Sequence, residues 1–207
     1  MKNKIILVLL AGLFGALTFI GGGRAQAATD TATLSTTVLE YLSFSITAGD
    51  TVGFGNLTPG TPIPAPATGT VCSVTTNAAN GYTMGLHDSV AAPDSSMLHT
   101  DTATRVTKMT NGTIETPVVW GSNTGVGITL YAADTSKEAK WGTGTTYNDV
   151  NNKYAAIPET ATTGHTVTGI VSGADTSSWA FDIDVPNTQK TGAYSGTVTF
   201  TATAVLS

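Results

Sequence analysis

The sequence predicts an all-β protein, an antiparallel β-sandwich of immunoglobulin-like or jelly-roll-like type that carries a long irregular insertion. Residues 194–206 alternate between an apolar face and a threonine-rich face, the period of a strand in a sheet with one wet side. Several other segments alternate in the same way between turn signals, and no convincing amphipathic helix follows the first 27 residues. Charged residues are only 11% of the chain, against roughly 25% in average soluble domains, which favours a water-facing β protein over a helical enzyme.

The first 27 residues are a predicted secretory signal peptide. A basic start precedes an apolar run over residues 5–20, and a small-x-small site follows at residues 25–27. We expect cleavage after Ala27, with cleavage after Ala28 as an alternative. An uncleaved anchor is a further alternative, because the apolar run is almost long enough to span a bilayer. With the leader removed, residues 28–207 are predicted to be a single domain that is secreted to the extracellular space or cell surface and does not contact the membrane.

Short alternating segments separated by turns follow the leader. The predicted strands before the final one cover residues 38–47, 52–55, 71–76, 82–87, 165–171 and 179–185. Asn80-Gly81 supplies the positive φ of a tight turn, so we expect the strands on either side of it to form a hairpin. Residues 186–192 form a loop, so we expect the strand before this loop to pair with the final strand. Alternate prolines in residues 59–66 predict a loop or a sheet edge.

A long excursion is predicted at about residues 90–152, between strands of the sandwich. It contains short β-like pieces separated by glycine- and asparagine-rich turns, and binding residues are often found in long loops on a rigid scaffold. Aromatic rings stack on sugars, so the candidate contacts to a glycan or protein partner are Trp120, Tyr131, Trp141 and Tyr147. The alternative role of these side chains is to fill a small core.

Catalytic and metal-binding patterns are incomplete in this sequence. The histidines are His87, His99 and His165, and none belongs to a recognisable catalytic triad or metal-binding motif. We therefore predict a protein that is not an enzyme and that uses no cofactor and no metal. Asp182 and Asp184 share the polar face of their strand, which predicts a solvated strand face.

The charge balance and the cysteine count limit the partners and the covalent chemistry. The formal net charge is −5 and the isoelectric point is about 4.9, so the chain lacks the broad basic footprint of a nucleic-acid binder. Cys72 is the only cysteine, which excludes an intrachain disulfide. We expect Cys72 to be a small buried hydrophobic residue on a strand.

Three short stretches carry a resemblance to a known family. They are an early Phe-Gly element at residues 52–55, a Trp-x-Phe strand at residues 179–181 and a strand with Tyr-x-x-x-x-Thr spacing at residues 194–200. Together with the signal peptide, they resemble the WxL-type cell-surface domains of Gram-positive bacteria and related exported sandwich proteins. The resemblance implies a β-sandwich and non-covalent attachment to the cell wall.

These observations favour an exported, non-catalytic structural or adhesion protein of the cell surface or extracellular matrix. Its expected partners are a cell-wall polymer or neighbouring surface proteins. A first alternative is a subunit of a surface filament assembled by strand exchange, in which residues 28–37 add to an exposed sheet edge of a neighbour. A second alternative is a carbohydrate-binding module that uses the aromatic residues of the excursion.

Overall fold

The computed structural model describes residues 30–64, 69–89, 95–135 and 137–206. The chain divides into two units, Met1–Val38 and Leu39–Ser207. In the first unit, residues 30–38 lie outside any strand and every one of them is exposed. The predicted signal peptide, residues 1–27, lies outside the described residues.

The regular secondary structure in the described part of the second unit is β-strand, apart from one short 3₁₀ helix, which confirms the all-β prediction. The strands are β1 Leu42–Ala48, β2 Ile63–Pro64, β3 Thr70–Thr76, β4 Tyr82–Asp88, β5 Ser95–His99, β6 Arg105–Thr107, β7 Gly125–Ala133, β8 Ala155–Ala156, β9 Thr162–Val167, β10 Val171–Asp184, β11 Tyr194–Ser195 and β12 Val198–Ala204. The 3₁₀ helix is Ala139–Trp141, inside the predicted excursion. Nowhere in the described residues is a helix long and apolar enough to cross a membrane.

The strands form three antiparallel sheets. The main sheet has six strands in the order β1-β3-β10-β7-β8, with β2 pairing beside β10. A second sheet has the order β12-β4-β9, and a third has the order β11-β5-β6. Every ladder between named strands is antiparallel, as expected for a sandwich.

The main core lies between the main sheet and the second sheet. β3 and β4 each bury every second side chain, which is the pattern of a strand with one face in a core. The ring of Trp179 on β10 lies 5.7 Å from the ring of Phe200 on β12, and the ring of Trp141 lies 5.5 Å from Trp179. Such aromatic pairs contribute roughly 0.5–1.5 kcal/mol beyond the area they bury. Cys72 is fully buried in this core, as predicted.

The predicted pairing of the final strand with its neighbour in sequence is wrong. β12 pairs with β4 over seven residues, whereas β10 lies in the main sheet between β3 and β7. All six residues from Trp179 to Asp184 are buried, so this strand has both faces covered and takes a neighbour on each side. The ring of Trp179 does contact that of Phe200, but this contact spans the two layers instead of running along one ladder.

The predicted hairpin around Asn80-Gly81 is also wrong. Gly81 has a φ of 80°, so the turn forms as predicted, but β3 and β4 on either side of it lie in different sheets. The end of β3 is bound to β1, because the backbone N–H of Asn77 donates to the carbonyl of Tyr41 at 3.2 Å. An Asn-Gly turn specifies local backbone angles, and these angles also suit a chain that crosses between layers.

The predicted excursion contains a central strand of the main sheet. β7 pairs with β10 over eight residues, so residues 125–133 are part of the scaffold and not of a peripheral loop. A second apolar cluster of Met109, Trp120 and Tyr154 packs against this strand. A Cβ atom at Gly127 would lie 2.7 Å from the Met109 sulfur and 2.8 Å from the Trp120 ring, so glycine allows the cluster to approach the sheet.

Two further predictions for the strands do not hold. Residues 52–55 form no strand and instead lie in an irregular segment after β1. Asp182 and Asp184 are buried, with 7% and 8% of their surface exposed, so they do not form a solvated face. The reason is that Asp182 pairs with Gly127, where the second cluster covers the outer face of the main sheet.

Candidate functional site

Two strands end their sheets on one side of the sandwich. Among the described residues, β1 pairs only with β3 and β12 pairs only with β4. β1 and β12 approach each other, and we call the space between their unpaired edges the open cleft. An unpaired edge presents a row of N–H and C=O groups that can pair with another chain.

The backbone register of β12 determines which of its groups face the open cleft. Ser89 donates its N–H to the carbonyl of Thr197 at 3.0 Å, and Val205 donates to Gly81 at 2.9 Å. Both bonds keep the register of the β12–β4 ladder, and hydrogen-bonded pairs recur at every second residue of an antiparallel ladder. The odd-numbered residues of β12 therefore bond to β4. The N–H and C=O groups that point to the free edge belong to Val198, Phe200, Ala202 and Ala204.

The edge of β1 follows the same rule. Tyr41 accepts the N–H of Asn77 at 3.2 Å in the register of the β1–β3 ladder, so the odd-numbered residues of β1 bond to β3. The outward-directed groups belong to Leu42, Phe44 and Ile46. On both strands, the residues with edge-directed backbone groups are also the ones that carry apolar side chains.

The composition of these two edges differs from that of a protected edge. Natural edge strands are blunted by lysine, proline, inward-pointing charges or bulges. β1 reads LSFSITA and β12 reads VTFTATA, so neither contains a charged residue or a proline. The β12–β4 ladder is unbroken over seven residues, and the only irregularity of β1 is a register shift between Ile46 and Ala48. Both strands are suited to accept a further strand.

A cavity of about 190 Å³ with a mixed polar and apolar lining lies between the end of β1 and the start of β12. Its walls include Ile46, Phe54, Val198 and Phe200. Ile46 is 38% exposed although its side chain lies beside the core. The volume is of the order of apolar cavities that admit a benzene molecule, so the cavity has room for an aliphatic side chain.

The segment before β1 carries apolar side chains that are in contact with water. Leu34 is 95% exposed, Val38 and Leu39 are each 80% exposed and Tyr41 is 57% exposed. No strand forms in residues 30–41. Single exposed apolar residues are ordinary on a protein surface, but a run of them along an extended segment indicates an interaction site.

The opposite edge of the second sheet is covered by side chains. Glu138 accepts the backbone N–H of Thr166 on β9 at 2.7 Å, and its other carboxylate oxygen lies 2.9 Å from Nδ1 of the fully buried His165. Trp141 donates its indole N–H to the carbonyl of Gly164 at 2.9 Å. These contacts occupy backbone groups of β9 with side chains from the segment around the 3₁₀ helix.

These contacts determine the pKa of Glu138. Burial alone would raise the pKa of Glu138, but the hydrogen bond to His165, the charge of His165 and the hydrogen bond from the Thr166 N–H lower it below its usual value. Glu138 therefore binds β9 as a carboxylate. The sequence analysis did not identify this residue. Its only signal was an acidic residue inside the predicted excursion of a chain with few charges.

The outer strand of the main sheet is also protected. β8 is only two residues long, and Ala156 donates its backbone N–H to the carbonyl of Gly112 at 3.1 Å. Pro158 follows two residues later and lacks the N–H group that a continuing ladder would need. β8 therefore provides little edge for another chain to pair with.

Burial and hydrogen bonds also set the state of several other ionisable groups. Tyr82 donates its hydroxyl to Asp175 at 2.5 Å, and the second carboxylate oxygen of Asp175 accepts the hydroxyl of Thr135 at 2.5 Å. Burial raises the pKa of Asp182 to about 6, although the N–H of Ile183, which donates to its carboxylate at 2.9 Å, acts in the opposite direction. Burial also raises the pKa of the Cys72 thiol to about 12, which makes it a poor nucleophile.

The four aromatic residues predicted to contact a glycan or partner do not come together in one site. Trp141 is fully buried in the main core, and Trp120 belongs to the second cluster, where its ring lies 5.4 Å from Tyr154. Tyr131 and Tyr147 are half-buried. The two tryptophans present no open ring face for stacking, so sugar or partner contact stays a prediction for the two tyrosines.

Comparisons with known proteins add no family assignment. No protein-family model matches the chain, and a search of curated proteins finds no significant match. The resemblance to WxL-type domains therefore stays a prediction. In the part of the chain that the structure describes, no group of three or more His, Cys, Asp or Glu side chains is placed to hold a metal ion.

Proposed function

We propose that this protein is an exported, non-catalytic structural protein of the cell surface whose copies join by strand addition. The observation that carries the proposal is the exposure of Leu34, Val38, Leu39 and Tyr41 in a segment without secondary structure. Burying such side chains is worth roughly 1.5–3 kcal/mol each, and extended chain gains its backbone hydrogen bonds by joining a sheet edge.

The two unpaired edges are the candidate acceptors for this segment. β1 and β12 direct backbone groups outward and carry no charge that would discourage pairing. A chain with both an unpaired extended segment and an unpaired sheet edge associates head to tail, because the segment of one copy adds to the edge of the next. Such heterologous contacts produce open filaments unless the rotation between subunits closes a ring.

The use of ionisable groups supports a structural role. Glu138 and His165 tie the excursion to β9, and Tyr82 and Asp175 tie β4 to the main sheet. Retention of the filament by a cell-wall polymer or by neighbouring surface proteins is the part of the proposal that rests on the sequence resemblance.

The test is assembly of the purified protein, followed by electron microscopy and light scattering. We expect filaments from the wild-type chain. The variant Leu34→Asp/Val38→Asp should stay monomeric, because it places charges on the apolar face of the segment. The matched control Thr33→Asp/Thr37→Asp adds the same charge to the alternate face and should still assemble.

Two results would count against the proposal. A wild-type protein that remains monomeric at all concentrations would refute assembly. Equal loss of assembly in both double variants would show that charge, and not the apolar face, is responsible.

A further inference from the structure

The proposed assembly does not by itself identify the edge that receives the segment. We infer that the acceptor is the open cleft between β1 and β12, and that its occupant is the segment of residues 31–38 from a second copy of this chain. This inference rests on the proposed function and specifies the surface through which it operates.

The pattern of the segment matches the pattern of the cleft. The even-numbered residues of an extended chain share one face, which is apolar except for Thr36, whereas the odd-numbered residues 31–37 are all Thr or Ser and fall on the other. β12 has the same organisation, with apolar residues toward the core and threonines toward water. A segment added beside β12 would therefore continue both the apolar face and the threonine face of the second sheet.

The cavity gives this pairing a specific anchor. Leu34 has the largest side chain on the apolar face of the segment, and the cavity beside Ile46 and Val198 is about 190 Å³ in volume, with apolar walls on one part and polar groups, among them Asp50, on the rest. The small side chains of Ala202 and Ala204 leave the rest of the β12 edge uncrowded. With Leu34 in the cavity, the flanking residues of the segment lie along β12, so one placement fills the cavity and pairs the free edge.

Electrostatics are consistent with a second copy as the occupant. Residues 31–39 contain no charged side chain, and neither do β1 and β12. Pairing along the two strands therefore removes no ion from water, a step that costs several kcal/mol when the ion is left unpaired. The charged residue nearest to the proposed anchor is Asp50, which lines the cavity. A highly charged peptide or an anionic polymer would find no counter-charge on these strands.

The other edges of the sandwich fit the segment less well. Glu138 and Trp141 already bond to the backbone of β9, and β8 is two residues long. A strand that added to β9 would have to displace a carboxylate and an indole from their hydrogen bonds. In the part of the chain that the structure describes, the cleft side offers seven-residue strands with no such contacts at their outward backbone groups.

The experiment uses disulfide formation between differently tagged copies of the protein. Donor copies carry Thr33→Cys, Ser35→Cys or Thr37→Cys, one at a time. Acceptor copies carry Thr201→Cys on the exposed face of β12, and control acceptors carry Thr163→Cys on the exposed face of β9. The native Cys72 is buried with a raised pKa, so it remains in place without reacting.

We expect at least one donor position to form a mixed disulfide with Thr201→Cys about tenfold more efficiently than with Thr163→Cys, because a disulfide requires Cα atoms within roughly 7 Å. Assembly with linkage to Thr163→Cys, or with linkage to neither site, would overturn the cleft assignment while leaving the proposed function intact. Failure to assemble would overturn the proposed function as well.

A second arm identifies the occupant. A chain that carries both Ser35→Cys and Thr201→Cys is oxidised at high dilution and then examined on a non-reducing gel. Linked species larger than one chain are the expected product. A product that is linked within single chains would overturn the assignment of a second copy.

Discussion

Along β9, the backbone N–H of Thr166 is bonded to Glu138 and the carbonyl of Gly164 is bonded to Trp141. Along β12, at the other edge of the same three-stranded sheet, the outward groups have no strand beside them among the described residues. Both strands belong to one sheet and share β4 as a neighbour. The difference therefore does not come from strand sequence alone, but from where the long connections of the chain are placed.

The excursion thus has a structural consequence that its irregular sequence does not suggest. It brings one acidic and one aromatic side chain to an edge that would otherwise be open. Within the described ranges of the chain, no such cover lies at the outer edges of β1 and β12. Natural proteins protect their sheet edges against association, so this asymmetry supports the proposal that one edge is used for pairing.

The largest expected effect on stability is at the closed edge. Trp141→Ala should lower the free energy of unfolding by about 3–5 kcal/mol, because a fully buried indole that packs on Trp179 leaves a cavity. Urea denaturation followed by tryptophan fluorescence measures the change. Tyr147→Ala, in a half-buried loop position, is the matched control and should cost much less. Similar values for the two variants would show that the excursion does not contribute to the core.

The next effect comes from the carboxylate that covers β9. Glu138→Ala should lower the free energy of unfolding by about 2–3 kcal/mol at pH 7, because the Thr166 N–H and the buried His165 lose a charged hydrogen-bond partner. The exposed ion pair of Glu159 with Lys108 at 3.1 Å provides the control, since Glu159→Ala should cost less than about 1 kcal/mol.

The pH dependence of the Glu138 effect has a defined sign. The pKa of Glu138 is lower in the folded protein than its usual value, so the folded state binds fewer protons than the unfolded state near that pKa. The stabilisation is fully present above the usual glutamate pKa of about 4.3 and disappears as the pH falls through the lower folded value. The difference in the free energy of unfolding between the wild type and the variant should therefore be smaller at pH 3 than at pH 7. A constant difference would contradict the assigned role.

Local features of the fold could be predicted from the sequence, whereas the pairing of its strands could not. The alternation in residues 82–87 and 194–206 predicts strands because side-chain period is a local property. The predicted final strand is nevertheless wrong in its extent, because Tyr194–Ser195 pairs with β5 in the third sheet and only Val198–Ala204 forms β12. The partner of each strand is a non-local property, and β12 bonds to β4 across more than a hundred residues. The Asn80-Gly81 turn was predicted correctly, yet a turn of this kind does not determine whether the strands beside it share a sheet.

The candidate site was predictable to a similar extent. The extended segment near residues 28–37 was predicted as a strand donor because it is rich in threonine and small residues. The acceptor was not predicted, since it depends on two strands far apart in sequence that meet only in the folded chain. Glu138 was missed for the same reason, because its partners on β9 lie 27 and 28 residues away.

The smallest expected change in stability belongs to the open edge and gives the most direct contrast between the two sides. The N–H of Ala202 points away from β4, so Ala202→Pro removes no bond of the ladder and should cost about 1 kcal/mol or less. The N–H of its neighbour Thr201 points toward β4, and Thr201→Pro should cost about 3 kcal/mol or more because it removes a ladder hydrogen bond. Urea denaturation compares the two variants.

Light scattering should show that Ala202→Pro, although folded, no longer assembles, because the proline ring occupies the edge that a second copy needs. Normal filaments from this variant would show that the edge of β12 is not used.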